Sequence, residues 1–75
     1  MVSINEFIEQ FLTAVDFQDP VEVSPNTVLL ELPEWDSLAA LGVIVMFDIE
    51  HGKTIIGDDL KQSITIQDLF NLLSR

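Results

Sequence analysis

An uninterrupted apolar segment runs from position 38 to position 47 of the 75-residue chain, and it is the strongest constraint on the fold. A helix that is apolar on every face must be covered on several sides, by other parts of the chain or by a partner. Crossing a bilayer takes about 20 apolar residues, so this shorter segment predicts a buried core helix. A chain of this length forms one small core. We therefore predict a single domain over 1–75 with this helix at its centre.

Capping residues and hydrophobic spacing predict the helices on either side of this segment. Ser3 and Glu6 form a capping-box pattern ahead of apolar residues at helical spacing, which predicts a first helix over 4–17. The central helix is predicted to begin at Asp36-Ser37 and to end near His51-Gly52, where glycine suits a helix C-cap.

The last third of the chain predicts two more helices. The acidic segment 57–62 predicts one short helical turn, because aspartates near a helix N-terminus are stabilised by its partial positive charge. Thr65 with Asp68 predicts a helix start, and apolar spacing continues to Leu73. The predicted fold is all-α, a small antiparallel four-helix bundle with a long first loop and a short third helix.

The segment 18–35 is predicted to be a long ordered loop, because prolines interrupt its periodicity. Its apolar residues would be costly to expose as a group, so we expect the loop to lie across the helices and to contribute to the core. A short strand that ends at Pro33 is the alternative, although no second strand is predicted to pair with it. The apolar residues in question are Val28, Leu29, Leu30 and Leu32.

Composition excludes several functional classes. Thirteen acidic against three basic residues give a net charge of −10, which argues against nucleic acid and anionic membranes as partners. The same charge would attract enzymes with basic patches, although solubility alone is the simpler interpretation. No cysteine is present to form a disulfide or a thiolate zinc site. The N-terminal residues lack a signal-peptide pattern, so we expect a cytoplasmic protein.

The segment Glu34-Trp35-Asp36-Ser37-Leu38 is the candidate site. Ser37 lies at a predicted loop-to-helix junction, where free amides and the helix dipole favour an attached phosphate. On spacing alone, an ordinary N-cap is the better explanation of Asp36-Ser37. We interpret Trp35 as a core residue that closes the loop onto the central helix.

No catalytic or metal site is predicted. His51 lies at the opposite end of the central helix from Ser37, so a Ser-His pair within one chain is not expected. Asp58 and Asp59 lack the alternating spacing of a calcium loop, and the chain has no glycine-rich phosphate loop. We therefore predict that the protein is not an enzyme and holds no metal.

Taken together, these residues resemble the acyl carrier proteins, small acidic four-helix proteins with an Asp-Ser-Leu triplet at the start of the second helix. Asp36-Ser37-Leu38 matches that triplet. The resemblance covers nearly the whole chain, including the segment Ser24-Pro25-Asn26-Thr27 and the start of the last helix at Ile64-Thr65-Ile66. The triplet alone is a weak signal, whereas its combination with element order, length and charge is specific.

The resemblance implies that a phosphopantetheinyl transferase attaches phosphopantetheine to Ser37 and that the chain then carries an acyl group as a thioester. It implies that Asp36 and Leu38 are recognised by the transferase, which supplies its own magnesium. It further implies an apolar chamber for the acyl chain. The residues predicted to line that chamber, or else to belong to the core, are Val43, Met46 and Phe47.

The sequence departs from carriers of fatty-acid synthesis, which have carboxylates soon after the triplet where this chain has Ala39, Ala40 and Gly42. We therefore expect partner ligases or synthases with basic or more apolar docking patches, and a specialised pathway rather than housekeeping fatty-acid synthesis. The carrier is expected to be monomeric. The residues predicted to provide acidic recognition are Glu31, Glu34, Asp36, Asp48 and Glu50.

Two alternatives remain open from the sequence. An aminoacyl or peptidyl carrier would differ chiefly in its cargo and would not need a deep acyl chamber. An unmodified helical interaction module would instead use the apolar central helix as a protein-binding face.

Overall fold

Four α-helices carry the fold in the computed structural model, which describes residues 2–19 and 21–74. Within those ranges the chain is all-α and contains no strand, only an isolated bridge between Val28 and Thr65. This confirms the predicted class and the four predicted helices. The elements are α1 (Ile4–Val15), a 3-10 helix (Leu29–Glu31), α2 (Ser37–His51), α3 (Gly57–Gln62), α4 (Ile66–Asn71) and a second 3-10 helix (Leu72–Ser74).

Helix α1 begins where the capping pattern predicts and ends two residues early. The Glu6 amide donates to the Ser3 hydroxyl oxygen at 3.2 Å, which caps the helix. Asp16 adopts a left-handed backbone conformation with φ 49°, and its amide donates to the Leu12 carbonyl. Aspartate is among the few non-glycine residues that visit this conformation. The predicted end at Phe17 is therefore wrong, because the left-handed residue stops the helix.

Both ends of helix α2 agree with the prediction. Asp36 caps the N-terminus, and Gly52 caps the C-terminus with φ 60°, a conformation that glycine adopts without steric cost. The coverage of the helix is uneven, however. One side, which includes Val43 and Phe47, is fully buried, while the other side is open to solvent. The large apolar residues on the open side are Leu38, Leu41, Val45 and Ile49, which we call the α2 stripe.

The long loop contributes to the core only in part. Leu29 and Leu32 are buried, as predicted, but Leu30 is 84% exposed. The reason is local geometry: the segment forms a 3-10 helix, whose successive side chains point in different directions. The alternative of a strand ending at Pro33 is therefore wrong.

Backbone hydrogen bonds hold this loop against the start of α4. The Leu29 amide donates to the Ile64 carbonyl at 2.9 Å, and the Ile66 amide donates to the Thr27 carbonyl at 3.1 Å. The Gln67 amide donates to the Pro25 carbonyl at 2.9 Å. The loop is thus fixed by its own main chain as well as by its buried leucines.

Aromatic rings join three of the helices at the core. The Phe7 ring of α1 meets the Phe47 ring of α2 edge-on at 5.7 Å and the Phe70 ring of α4 at 5.5 Å. Trp35 stacks on Phe11 at 6.1 Å, which agrees with its interpretation as a core residue that anchors the loop. Such pairs contribute beyond their buried area, so they fix the relative positions of the helices.

The predicted cap of α4 is present in full. The Asp68 amide donates to the Thr65 hydroxyl oxygen at 3.2 Å, and the Thr65 and Ile64 amides both donate to one Asp68 carboxylate oxygen at 3.1 and 3.0 Å. The hydrogen bonds from the Thr65 and Ile64 amides stabilise the charged form and lower the Asp68 pKa from its ordinary value of 3.8.

Candidate functional site

Ser37 is the first residue of α2 and is exposed to solvent. The Ala39 amide donates to the Asp36 carboxylate at 2.9 Å, so the cap is formed by Asp36 and does not require the Ser37 hydroxyl. Asp36 is therefore an N-cap, as one interpretation of the sequence held, while Ser37 occupies the following position. A phosphate on the Ser37 hydroxyl would lie at the positive end of a 15-residue helix.

A cavity of about 680 Å³ opens beside Ser37. Its walls come from the loop, from α2 and from α3 with the residues that follow it, and most of the lining side chains are apolar. A volume of several hundred Å³ with a few polar groups at one end is typical of a small-molecule site. The lining residues are Val28, Leu29, Leu30, Trp35, Asp36, Ser37, Ala40, Leu41, Ile44, Gly57, Leu60, Lys61, Ser63 and Ile64.

The residues predicted to line an acyl chamber do not line this cavity. Val43 and Phe47 are fully buried in the core, and Met46 lines a different cavity. Sequence reasoning missed Ala40 and Ile44, which do line the cavity. Their spacing of four residues from each other places them on one helix face with Ser37, but an all-apolar helix gives no signal of which face adjoins the site.

A second cavity lies on the other side of α2, in the groove between α1 and α2. Its volume is about 670 Å³, and it includes the whole α2 stripe. Leu41 lines both cavities, so it stands on the ridge that separates them. The other lining residues are Gln10, Thr13, Ala14, Val15, Asp16, Gly42, Met46 and Glu50.

The residues predicted to provide acidic recognition lie in different surroundings. Glu31, Asp48 and Glu50 are exposed, and Asp48 is about 16 Å along the α2 axis from Ser37 at 1.5 Å per residue. The two carboxylate oxygens of Glu34 accept hydrogen bonds from the Gln18 and Asp19 amides, both at 3.0 Å. Glu34 thus holds the start of the long loop.

His51 is remote from Ser37, which confirms the prediction that the two do not form a pair. They occupy opposite ends of α2, about 21 Å apart along the axis. The His51 Nε2 atom lies 2.7 Å from the Gln10 side-chain oxygen, and the imidazole contacts the Phe7 and Phe47 rings. His51 therefore links α1 to α2.

Residues 2–19 and 21–74 contain no group of three or more potential metal ligands of the types His, Cys, Asp and Glu. None of the helices formed by these residues combines the length and apolarity needed to cross a membrane.

No protein-family model, curated protein sequence or solved structure matches this chain. The function is therefore inferred from the site itself and from the resemblance of the Asp36-Ser37-Leu38 segment and its context.

Proposed function

We propose that this protein is an acyl carrier protein. It holds an acyl group as a thioester on a phosphopantetheine arm attached to Ser37 and delivers that group to partner enzymes in the cytoplasm. The observation that carries the proposal is the position of Ser37, an exposed hydroxyl at the N-terminus of α2 and at the edge of a largely apolar cavity. A tethered apolar chain needs both an accessible attachment point and a nearby apolar volume.

The residues at this site fit a phosphopantetheine group. The Ser37 hydroxyl provides the oxygen for a phosphodiester, and the positive end of α2 favours the phosphate charge. When bound, the group supplies a terminal thiol that bears the acyl cargo. Ala40, Ile44 and Leu60 provide apolar wall beside the attachment point, where burial of each methylene would contribute about 0.8 kcal/mol.

The proposal includes an antiparallel arrangement of the helices. The Gln10 side chain contacts His51 at the end of α2, and the Ala14 carbonyl lies against Gly42 near the middle of α2. The contact point on α2 moves towards its N-terminus as α1 proceeds towards its C-terminus, which supports opposite directions for the two helices.

The partners we propose are a phosphopantetheinyl transferase and the ligase or synthase enzymes that load and unload the cargo. Asp48 and Glu50 are exposed carboxylates on α2. The apolar residues of the α2 stripe are also exposed and belong to the same helix. A partner with a basic rim and an apolar centre fits such a surface. Glu34 is omitted from this docking role because backbone amides occupy its carboxylate.

The pathway we favour is a specialised one, with fatty-acid biosynthesis as the alternative, because α2 has Ala39 and Ala40 directly after the triplet. An aminoacyl or peptidyl cargo is the second carrier possibility. The extent of the cavity beside Ser37 favours an acyl cargo, since an aminoacyl group would not need that apolar volume.

An unmodified interaction module is the candidate from a different functional class. The observation that favours it is the α2 stripe, in which Leu38 and Ile49 are 75% and 72% exposed. Large apolar side chains grouped on one face often mark a protein-binding site. Such a module would function without any modification of Ser37.

Intact-mass spectrometry separates these candidates. The protein is incubated with coenzyme A, magnesium and a broad-specificity phosphopantetheinyl transferase, beside the variants Ser37→Ala and Ser74→Ala. We expect one added phosphopantetheine on the wild type and on Ser74→Ala, which removes another exposed serine, and none on Ser37→Ala. If folded wild-type protein gains no mass with several transferases, the interaction module becomes the better explanation.

A further inference from the structure

The two cavities beside α2 differ in the charges that line them. Among residues 2–19 and 21–74, those that line the groove between α1 and α2 include two acidic residues, Asp16 and Glu50, and no basic one. The cavity beside Ser37 includes Lys61 on α3 and Asp36. The chain has three basic residues and a net charge of −10, and one of those basic residues, Lys61, lines the same cavity as the proposed attachment residue Ser37.

The Asp36 carboxylate is already engaged, because it accepts the Ala39 amide at the start of α2. Lys61 is exposed, and within residues 2–19 and 21–74 its side-chain ammonium makes no hydrogen bond or ion pair. The remaining charged neighbour on its own helix within one turn at matching spacing is Asp58, an exposed residue. Lys61 is therefore positioned to pair with an anion that enters the cavity.

We propose that Lys61 binds an anionic group carried by the arm on Ser37, and that it selects the cargo when that group is at the end of the acyl chain. The anion is either the phosphodiester of the arm or a carboxylate at the far end of an acyl chain. This inference rests on the proposed carrier function and specifies its cargo: an apolar chain whose free end is negatively charged would satisfy both the apolar walls and the lysine.

The physical reason is the charge of the rest of the protein. A net charge of −10 disfavours any further anion near the surface. A single cation within a few Å of that anion offsets the repulsion, because the Coulomb interaction falls with distance and distant charges are screened by salt. Replacing Lys61 should therefore affect anionic tethered groups far more than neutral ones.

The experiment uses the absence of cysteine from the chain. Ser37→Cys introduces a single thiol, which is alkylated with a bromoacetamide whose hexyl chain ends either in a methyl group or in a carboxylate. The thermal midpoint Tm of each conjugate is measured with Lys61, with Lys61→Met and with Lys53→Met as the matched control. A third arm measures the Tm of the protein before and after enzymatic modification of Ser37, again with Lys61 and with Lys61→Met.

We expect Lys61→Met to lower the Tm of the carboxylate conjugate by about 2–5 °C more than that of the methyl conjugate, as an ion pair of modest strength predicts for a domain of this size. Lys61→Glu should enlarge this difference, 1 M salt should reduce it, and Lys53→Met should leave it unchanged. This result assigns the anion to the end of the cargo.

If Lys61→Met alters only the Tm difference between unmodified and enzymatically modified protein, the anion is the phosphodiester instead. If Lys61→Met changes the Tm of charged and neutral forms equally in every arm, the proposal is overturned. Because alkylation needs no transferase, failure of the Lys61 proposal can be told apart from failure of the carrier proposal, which would appear as no enzymatic modification of Ser37.

Discussion

The carbonyl oxygen of Ala14 lies 2.5 Å from the point where a Cβ atom on Gly42 would stand. Helices α1 and α2 therefore approach so closely at this point that α2 has no room for a side chain. Glycine within a helix costs about 1 kcal/mol relative to alanine, and close helix packing is the reason for it here. This contact also helps to form the floor of the groove between the two helices.

Gly42→Ala is expected to destabilise the protein by about 1–3 kcal/mol, even though alanine is the better helix former, because the new methyl group meets backbone that cannot rotate away. Urea unfolding followed by circular dichroism measures the change. Gly57→Ala serves as the control, since nothing lies within 4 Å of its Cβ position, and it should be neutral or slightly stabilising. A Gly42→Ala protein as stable as the wild type would contradict the close packing of α1 and α2.

Asp36 combines a structural role with a proposed role in recognition, and two substitutions separate them. Asp36→Ala removes the acceptor for the Ala39 amide and should cost about 1 kcal/mol of stability. Asp36→Asn retains an N-cap and should stay within about 0.5 kcal/mol of the wild type. If the transferase recognises the charge, Asp36→Asn should still slow modification of Ser37 by about 3- to 10-fold at low salt. Equal modification rates for Asp36→Asn and wild type would remove Asp36 from the recognition residues.

Ala40→Phe tests whether the cavity beside Ser37 holds the acyl chain. The phenyl ring would occupy part of that volume, so the Tm gained on loading an octanoyl rather than an acetyl group should fall by at least half. Val45→Phe, which adds the same ring to the groove on the other side of α2, should leave this gain unchanged. The octanoyl and acetyl forms are compared within each variant, so any effect of the ring that is common to both forms cancels.

The same assay tests whether the acyl chain contacts Val43, Met46 and Phe47, the residues that the resemblance implies as the lining of the chamber. Met46→Ala should destabilise loaded and unloaded protein equally, because Met46 lies 5% exposed in the core and lines the opposite groove. A selective loss of the octanoyl effect in Met46→Ala would instead favour the lining predicted from the sequence.

Asp68 is expected to make the stability of α4 depend on pH. Its pKa is lowered in the folded protein, because the Thr65 and Ile64 amides donate to the carboxylate. Its contribution is therefore complete above the ordinary pKa of 3.8 and is lost as the pH falls through the lower folded-state pKa. Urea unfolding of wild type and Asp68→Asn between pH 6 and pH 2.5 should show a stability difference that is constant at the upper end and shrinks below about pH 4.

Glu22→Gln, which removes one exposed loop carboxylate, controls for the loss of a single negative charge in the same pH series. A difference between wild type and Asp68→Asn that persists undiminished to pH 2.5 would show that the carboxylate charge has no part in the cap.

The helix boundaries that depend on capping were accessible from the sequence. Ser3, Asp36, Thr65 and Gly52 all occupy the capping positions that their residue types predict. Caps act through hydrogen bonds and backbone preferences within about one turn, so neighbouring residues suffice to predict them. The end of α1 could not be predicted in this way, because an aspartate such as Asp16 indicates a left-handed conformation far less reliably than a glycine does.

Only part of the candidate site could be predicted from the sequence. The exposed position of Ser37 follows from its place at the start of a capped helix, and its distance from His51 follows from the helix rise. The lining of the cavity did not follow, since α2 is apolar on all sides and hydrophobic periodicity cannot then indicate a direction.

The sequence by itself determined an all-helical protein with four helices, the capped start of α2 and the place of Ser37 upon it. Tertiary structure alone decided that Val43 and Phe47 face the core while Leu38 and Ile49 face solvent, that Leu29 is buried and Leu30 exposed, and that Lys61 borders the cavity of Ser37. Helix starts arise from interactions within a few residues, whereas the side of a helix that is covered depends on contacts between segments far apart in the chain.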